Sequence, residues 1–177
     1  MKTSLERKKL AKEIRIKFIY YIIIGLLTSI IQVNYLDVIA IEGITPDLLL
    51  ILVIYIAIRE GRLVGIFTGF AAGLIFDFLS MDLIGTNALA KTTVGFVAGF
   101  YYVENKWKRY IASFRFLAIV FLSSLIHNFI YFFFYLQVSE MSFFNFGLKY
   151  GLAISAYTTV ISVFVFLLSI PRKRFGE

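Results

Sequence analysis

Gly61, Gly65, Gly69 and Gly73 recur at an interval of four residues, Asp77 continues the interval, and Gly95 and Gly99 repeat it after a short polar break. On a helix this spacing lines small residues along one i, i+4 ridge, where a second backbone can approach closely. Seven of the twelve glycines fall between Gly61 and Gly99, in segments that are otherwise strongly apolar. The chain therefore has to pack helices at short range, in an arrangement that larger side chains would block.

The setting for that packing is a bilayer. Across 177 residues, 60% are hydrophobic and 18% aromatic, against roughly 45–50% apolar content, glycine included, in a soluble domain. No Pro/Gly/Ser-rich linker, low-complexity tract or longer repeat divides the chain, so one domain is expected over 1–177. The reading is an all-α, polytopic membrane helical bundle of six transmembrane helices, with spans at 18–41, 46–58, 63–79, 83–103, 114–138 and 146–170. The first apolar run has no small-residue cleavage site after it and reads as a retained span. The second span is short: its thirteen residues rise only ~20 Å against a hydrocarbon thickness of ~30 Å. It is expected to start below the membrane surface, with residues 44–47 as non-helical backbone buried by protein. Pro46 at a first helical position and Asp47 against the positive end of the helix dipole suit that start. Ser80, Met81 and Asp82 leave room only for a tight turn, which makes spans 3 and 4 an antiparallel hairpin.

The +7 net charge reads as a topology signal rather than a nucleic-acid surface, because the cations sit between and beside the apolar spans. Residues 2–17 hold seven Lys and Arg, the loop between spans 2 and 3 holds Arg59 and Arg62, and the loop between spans 4 and 5 holds Lys106, Lys108, Arg109 and Arg115. With Arg172, Lys173 and Arg174 after the stop at Pro171, these make 16 of 18, only Lys91 and Lys149 being left. The positive-inside rule then puts both termini in the cytoplasm, the basic segment 1–17 as a juxtamembrane helix, the tail 171–177 beside it, and Trp107, Tyr101, Tyr102 and Tyr110 at the cytoplasmic interface. Asp37, Glu42, Asp82 and Glu140 fall on the other side. The basic segment offers a contact for anionic lipid or a cytoplasmic partner.

Chemistry-bearing residues are few. The absence of cysteine excludes a disulfide framework, a thiolate metal site and a cysteine nucleophile, and one histidine does not make a metal centre. Intramembrane Asp77 calls for a partner; Lys91, about 12 Å into span 4 by helical rise, can snorkel toward it. A hairpin-locking ion pair, or a hydrated Asp77 at the interface, is the simpler reading, and proton or ion handling the more specific one. His127 and Asn128 lie near the same depth, with Thr158 and Thr159 not far from it, so a polar layer is expected across the bundle. In it a neutral, hydrogen-bonded imidazole is preferred to a titrating one. No HExxH, GxSxG, paired aspartates in a GxGD-like setting, P-loop or GxGxxG occurs, and Ser123 and Ser124 near His127 lack an activating third group. No catalytic residue, cofactor or metal is assigned.

Pro46-Asp47-Leu48-Leu49-Leu50, Tyr55 and Ala57 leading to Arg59 and Gly61, then Gly65-x3-Gly69-Phe70-x2-Gly73-x3-Asp77-x2-Ser80 and Gly85-x-Asn87-Ala88-Leu89 occur in that order. In this combination the chain resembles MreD, the family of small membrane proteins of the bacterial rod-shape system. Two positions depart from the family pattern: Met81 stands where members often have Gly, and Lys91 is not expected. The resemblance implies a non-enzymatic scaffold of the elongation complex in the bacterial cytoplasmic membrane. Its implied partners are MreC, a single-span protein with a periplasmic part, and MreB, RodA and a class B penicillin-binding protein in the control of lateral peptidoglycan synthesis. It also implies a fold similar to the substrate-binding subunits of energy-coupling-factor transporters, which keeps a solute-binding vitamin-transport subunit as the alternative, with Asp77, Lys91 and His127 facing a zwitterionic ligand. On the scaffold reading Pro46, Asp47, Gly61, Gly65, Gly69, Phe70, Gly73, Asp77, Ser80, Gly85, Asn87, Gly95 and Gly99 are helix-packing or partner-docking positions, for the MreC membrane helix or a second copy of the chain.

Overall fold

A computed structural model describes residues 4–138 and 147–170. Pro171, the basic tail behind it and Glu140 lie outside the described residues. Among the described residues seven α-helices run in chain order: α1 Ser4–Tyr35, α2 Leu48–Glu60, α3 Arg62–Ser80, α4 Thr86–Ala98, α5 Trp107–Ile111, α6 Phe114–Val138 and α7 Leu148–Ser169. Among the described residues no strand forms. Within the described residues, four stretches are long and apolar enough to cross a membrane: Ala11–Ile39, Arg62–Ser80, Phe114–Tyr135 and Leu148–Ser169.

The basic segment and the first span are one continuous helix rather than two, since nothing between Lys12 and Phe18 breaks helical backbone. A 3-10 turn over Leu36–Ile39 ends it. The chain then reverses at Glu42 and Gly43, both left-handed at φ 51° and 78°, and Ile41 and Ile44 exchange backbone hydrogen bonds across this turn. From there an extended segment carries Pro46 and Asp47 into the interior. Pro46 is buried but precedes the helix; Asp47, not Pro46, opens α2, as its N-cap, with Leu50 N–H donating to its carboxylate. A side-chain acceptor at this place satisfies a donor that the first helical turn leaves free.

α2 is apolar around its whole circumference, the pattern of a helix enclosed by others. Leu49, Leu50, Val53, Ile54, Ala57 and Ile58 are all buried, and α1, α3, α4, α5, α6 and α7 all touch it. Its inner side joins Val94 and Ala98 of α4, Ile111, Phe116 and Val120 of the following helices and Phe166 of α7 in the main core. The long helices turn Ile22, Phe67, Leu122 and Phe164 outward, as lipid-facing helices do. The fourth span is shorter than 83–103: helical backbone covers Thr86–Ala98 and tightens into a 3-10 turn over Gly99–Tyr101.

The closest helix pair is α3 with α4. Added Cβ atoms at Gly65, Gly69 and Gly73 would strike the carbonyls of Gly95, Lys91 and Asn87 in turn, and one at Gly95 would strike the Gly65 carbonyl. The ladder is thus filled from within the molecule, and these glycines are not free to receive a partner helix. Gly61 serves another purpose. At φ 94°, ψ 177° it joins α2 to α3 with no intervening loop, in a region essentially restricted to glycine.

The hairpin turn after α3 places a non-glycine residue in left-handed backbone. Met81 caps α3 at φ 54°, ψ 29° and is 94% exposed, so a left-handed backbone is held by a side chain that packs on nothing. That conformation costs an L-residue about 1–2 kcal/mol, partly offset by the extra unfolded-state freedom of glycine. Met81→Gly is expected to stabilise the protein by about 0.5–1 kcal/mol, read as a raised midpoint of unfolding in detergent. A lowered midpoint would reject the strain argument.

Candidate functional site

Lys91 lies in the middle of α4 with no solvent exposure, in a pocket of acceptors contributed by its neighbours. Its Nζ is 2.7 Å from Asp47 Oδ2, 3.2 Å from Asn87 Oδ1 and 3.1 Å from His127 Nε2. An ammonium group has three N–H donors and no acceptor, so these three partners use all of them. That count fixes the rest of the network. With Nε2 accepting from Lys91, the imidazole is neutral and carries its proton on Nδ1, which faces Asn128 Oδ1 at 3.4 Å. Asn128 then turns its amide NH2 toward Ser124 Oγ, Ser155 Oγ and the Gly151 carbonyl, at 3.4, 2.9 and 3.1 Å.

Asp47 is met from four sides. Oδ1 accepts from Leu50 N–H at 2.8 Å and from Gln32 Nε2 at 3.0 Å, Oδ2 takes the ammonium, and the Asp47 N–H donates to Thr158 Oγ1 at 3.0 Å. Gln32 also accepts the Leu49 N–H at 2.8 Å, so α1 and Asp47 together close the amino end of α2. The Phe76 ring centre of α3 lies 5.0 Å from the Lys91 ammonium, near enough for a cation–π attraction. One neutral ion pair thereby connects α1, α2, α3, α4, α6 and α7.

The expected polar layer is present, with Lys91, His127, Asn128 and Thr158 in it, but its acid is Asp47 and not Asp77. Asp77 is fully buried and performs a different task one helical turn away. It accepts the backbone N–H groups of Gly85 and Ala88 on Oδ2, at 2.8 and 3.2 Å, and that of Asn87 on Oδ1, at 3.1 Å. These are donors at the start of α4, which its own N-cap, Gly85, has no side chain to satisfy. A carboxylate on α3 therefore caps α4 across the hairpin, where the helix dipole also favours a negative charge. Thr159 stands apart from the layer and bonds back to the Ser155 carbonyl, as Ser80 does to that of Phe76.

Asp47, expected from the sequence as a helix start and a packing or docking position, joins the layer together with Gln32, Ser124 and Ser155, which the sequence reading does not place in it. Gln32 had a signal: an amide in the middle of an apolar span has to find a partner. Ser123 and Ser124 form no hydrogen bond with His127, whose ring nitrogens are both committed to Lys91 and Asn128, so no nucleophile–base couple is assembled.

A second polar cluster marks the other end of α2. Glu60 receives Lys17 Nζ at 2.6 Å and Tyr21 Oη–H at 2.7 Å, with Arg59 Nε at 3.4 Å. Burial by itself would raise the Glu60 carboxyl, but the hydrogen bonds from Lys17 and Tyr21, with the charges of Lys17 and Arg59, hold it below the ordinary glutamate range. Lys17 is thus spent on fastening α1 to α2. Arg59 also lies 4.7 Å above the Trp107 ring, joining α2 to α5.

Both clusters are internal fastenings. Among the described residues every buried side-chain nitrogen and oxygen has a hydrogen-bond partner, and no group of three or more His, Cys, Asp or Glu could hold a metal ion. Comparison with curated proteins and with solved structures gives no match. The family model of the rod shape-determining protein MreD matches residues 12–170, nearly the whole chain, and the protein belongs to the MreD family.

Proposed function

We propose that the protein is a non-enzymatic scaffold of the rod-shape machinery in the bacterial cytoplasmic membrane. In this reading it crosses the bilayer six times with both termini in the cytoplasm and binds MreC. With MreB, RodA and a class B penicillin-binding protein, it helps govern lateral peptidoglycan synthesis. The observation that carries the reading is the family match over residues 12–170. The distribution of Lys and Arg supports the topology, and an interior whose polar groups satisfy one another is consistent with a part that holds others in place.

The zwitterion-binding alternative loses its constellation, because Asp77 and Lys91 are committed to separate partners. A cleft of about 540 Å³ reaches the polar network at Asn128 and Gly151 and is otherwise walled by apolar residues such as Leu125, Phe129, Leu148 and Leu152.

With the glycine ladder filled by α4, the docking surface for the MreC membrane helix moves to the opposite, outward side of α3. Leu63, Phe67 and Phe70 form an exposed ridge there at the i, i+4, i+7 spacing of one helix face, and Phe78, about two turns beyond Phe70, extends it. Phe70 belongs to this ridge and is 51% exposed. Pull-down of the wild-type chain from native membranes should recover MreC, and failure to recover it would reject the scaffold reading. Phe67→Ala with Phe70→Ala should reduce that recovery severalfold while leaving thermal unfolding unchanged. Undiminished recovery would reject this surface alone.

A further inference from the structure

We infer that the cleft between α5 and the end of α7 is a binding site for an anionic phospholipid. It has a volume of about 670 Å³ and is lined by Tyr55, Trp107, Lys108, Arg109 and, on the α7 side, Leu168 and Ile170. These residues divide into two chemistries. Lys108 and Arg109 are exposed cations, and among the described residues neither forms an ion pair with a carboxylate, whereas Lys17 and Arg59 both engage Glu60. Leu168 and Ile170 present exposed apolar surface to the same cavity. Trp107 lines the same cleft, nearly perpendicular to the Tyr55 ring at 6.1 Å between centres and with Arg59 and Lys108 at 4.7 and 5.5 Å from its ring centre.

A cationic rim, an amphipathic indole and an aliphatic wall in one cleft match the parts of a phospholipid: phosphate, glycerol-ester region and acyl chain. Charge complementarity selects the headgroup. Two unpaired cations, with Arg59 behind them, favour a lipid of net negative charge over a zwitterionic one, each basic residue near the surface contributing to that preference. This site is independent of the scaffold reading and of the ridge on α3.

Trp107 is the sole tryptophan of the chain, so the site carries its own reporter. The full-length protein would be placed in nanodiscs holding a fixed minor fraction of a brominated lipid, either phosphatidylglycerol or phosphatidylcholine, and Trp107 quenching measured. The expected result is a preference on the order of tenfold for the brominated phosphatidylglycerol. It should fall to the phosphatidylcholine level in Lys108→Gln with Arg109→Gln, whose exposed positions leave the midpoint of thermal unfolding in place. Equal quenching by the two lipids in the wild type would overturn the proposal, as would a preference that survives the double substitution. Relief of the phosphatidylglycerol quenching by millimolar inorganic phosphate, but not by chloride at equal ionic strength, would assign the cleft to a soluble anion and overturn it too.

Discussion

Asp47→Asn and Lys91→Met are each expected to destabilise the protein by about 3–5 kcal/mol, and the double variant to regain most of the loss. The pair is neutral as a unit but costly in halves. Removing the carboxylate charge leaves a buried ammonium facing two neutral acceptors, Asn87 and His127. Removing the ammonium leaves a carboxylate that keeps only its Leu50 and Gln32 donors. Asparagine at position 47 can still accept from Leu50 N–H and methionine fills much of the lysine volume, so the double variant loses the charges while keeping the cap and the packing. Equilibrium unfolding in mixed micelles, followed by circular dichroism, would measure the four corners of the cycle. Two single losses that simply add in the double variant would show that the residues act separately and would sink the ion-pair account.

The second large effect belongs to the glycine ladder. Gly69→Ala is expected to cost about 1–3 kcal/mol by forcing α3 and α4 apart, since the new methyl group meets backbone and not a side chain that could swing away. Gly69→Leu extends the clash along the hairpin and should leave little folded protein in detergent extracts. Gly25 supplies the control: nothing lies within 4 Å of a Cβ there, and Gly25→Ala in the interior of α1 should be neutral or favourable by up to about 1 kcal/mol. A docking role for the ladder predicts instead a well-folded Gly69→Leu protein that has lost only MreC. Recovery of such a protein would contradict the inward packing.

The ladder, the hairpin and four of the six expected spans were legible in the sequence because each rests on a local rule: small residues at i, i+4, a three-residue gap too short for anything but a turn, apolar runs of membrane length. The buried start of α2 was legible too, from thirteen residues too few to cross. What could not be read was its consequence for depth. An acid at the buried start of a short helix meets a lysine midway along α4, and only the folded loop before Pro46 makes that plain. Asp77 is the expected partner of the lysine because both are intramembrane charges on the two arms of one hairpin, yet a backbone terminus, which no side-chain pattern announces, takes it first. Gln32, Ser124 and Ser155 were hidden for a related reason, as short polar side chains in apolar helices acquire a role only from the helix that comes to face them.

The brevity of α2 and α4 also bears on how such a protein is made. Thirteen residues of each, one led by an aspartate and the other carrying a lysine at its centre, enter lipid poorly as isolated segments, and a lysine at mid-helix is penalised by roughly 2.5–3.5 kcal/mol on insertion. α1, α3, α6 and α7 have the length and apolarity to insert during synthesis without help. The two central helices become membrane-compatible once Asp47 and Lys91 meet, and His127 and Thr158 join them only after α6 and α7 have been synthesised. The expected consequence is insertion from the outside inward: four self-sufficient helices admit two dependent ones, and the last helices to leave the ribosome complete the network that holds the first.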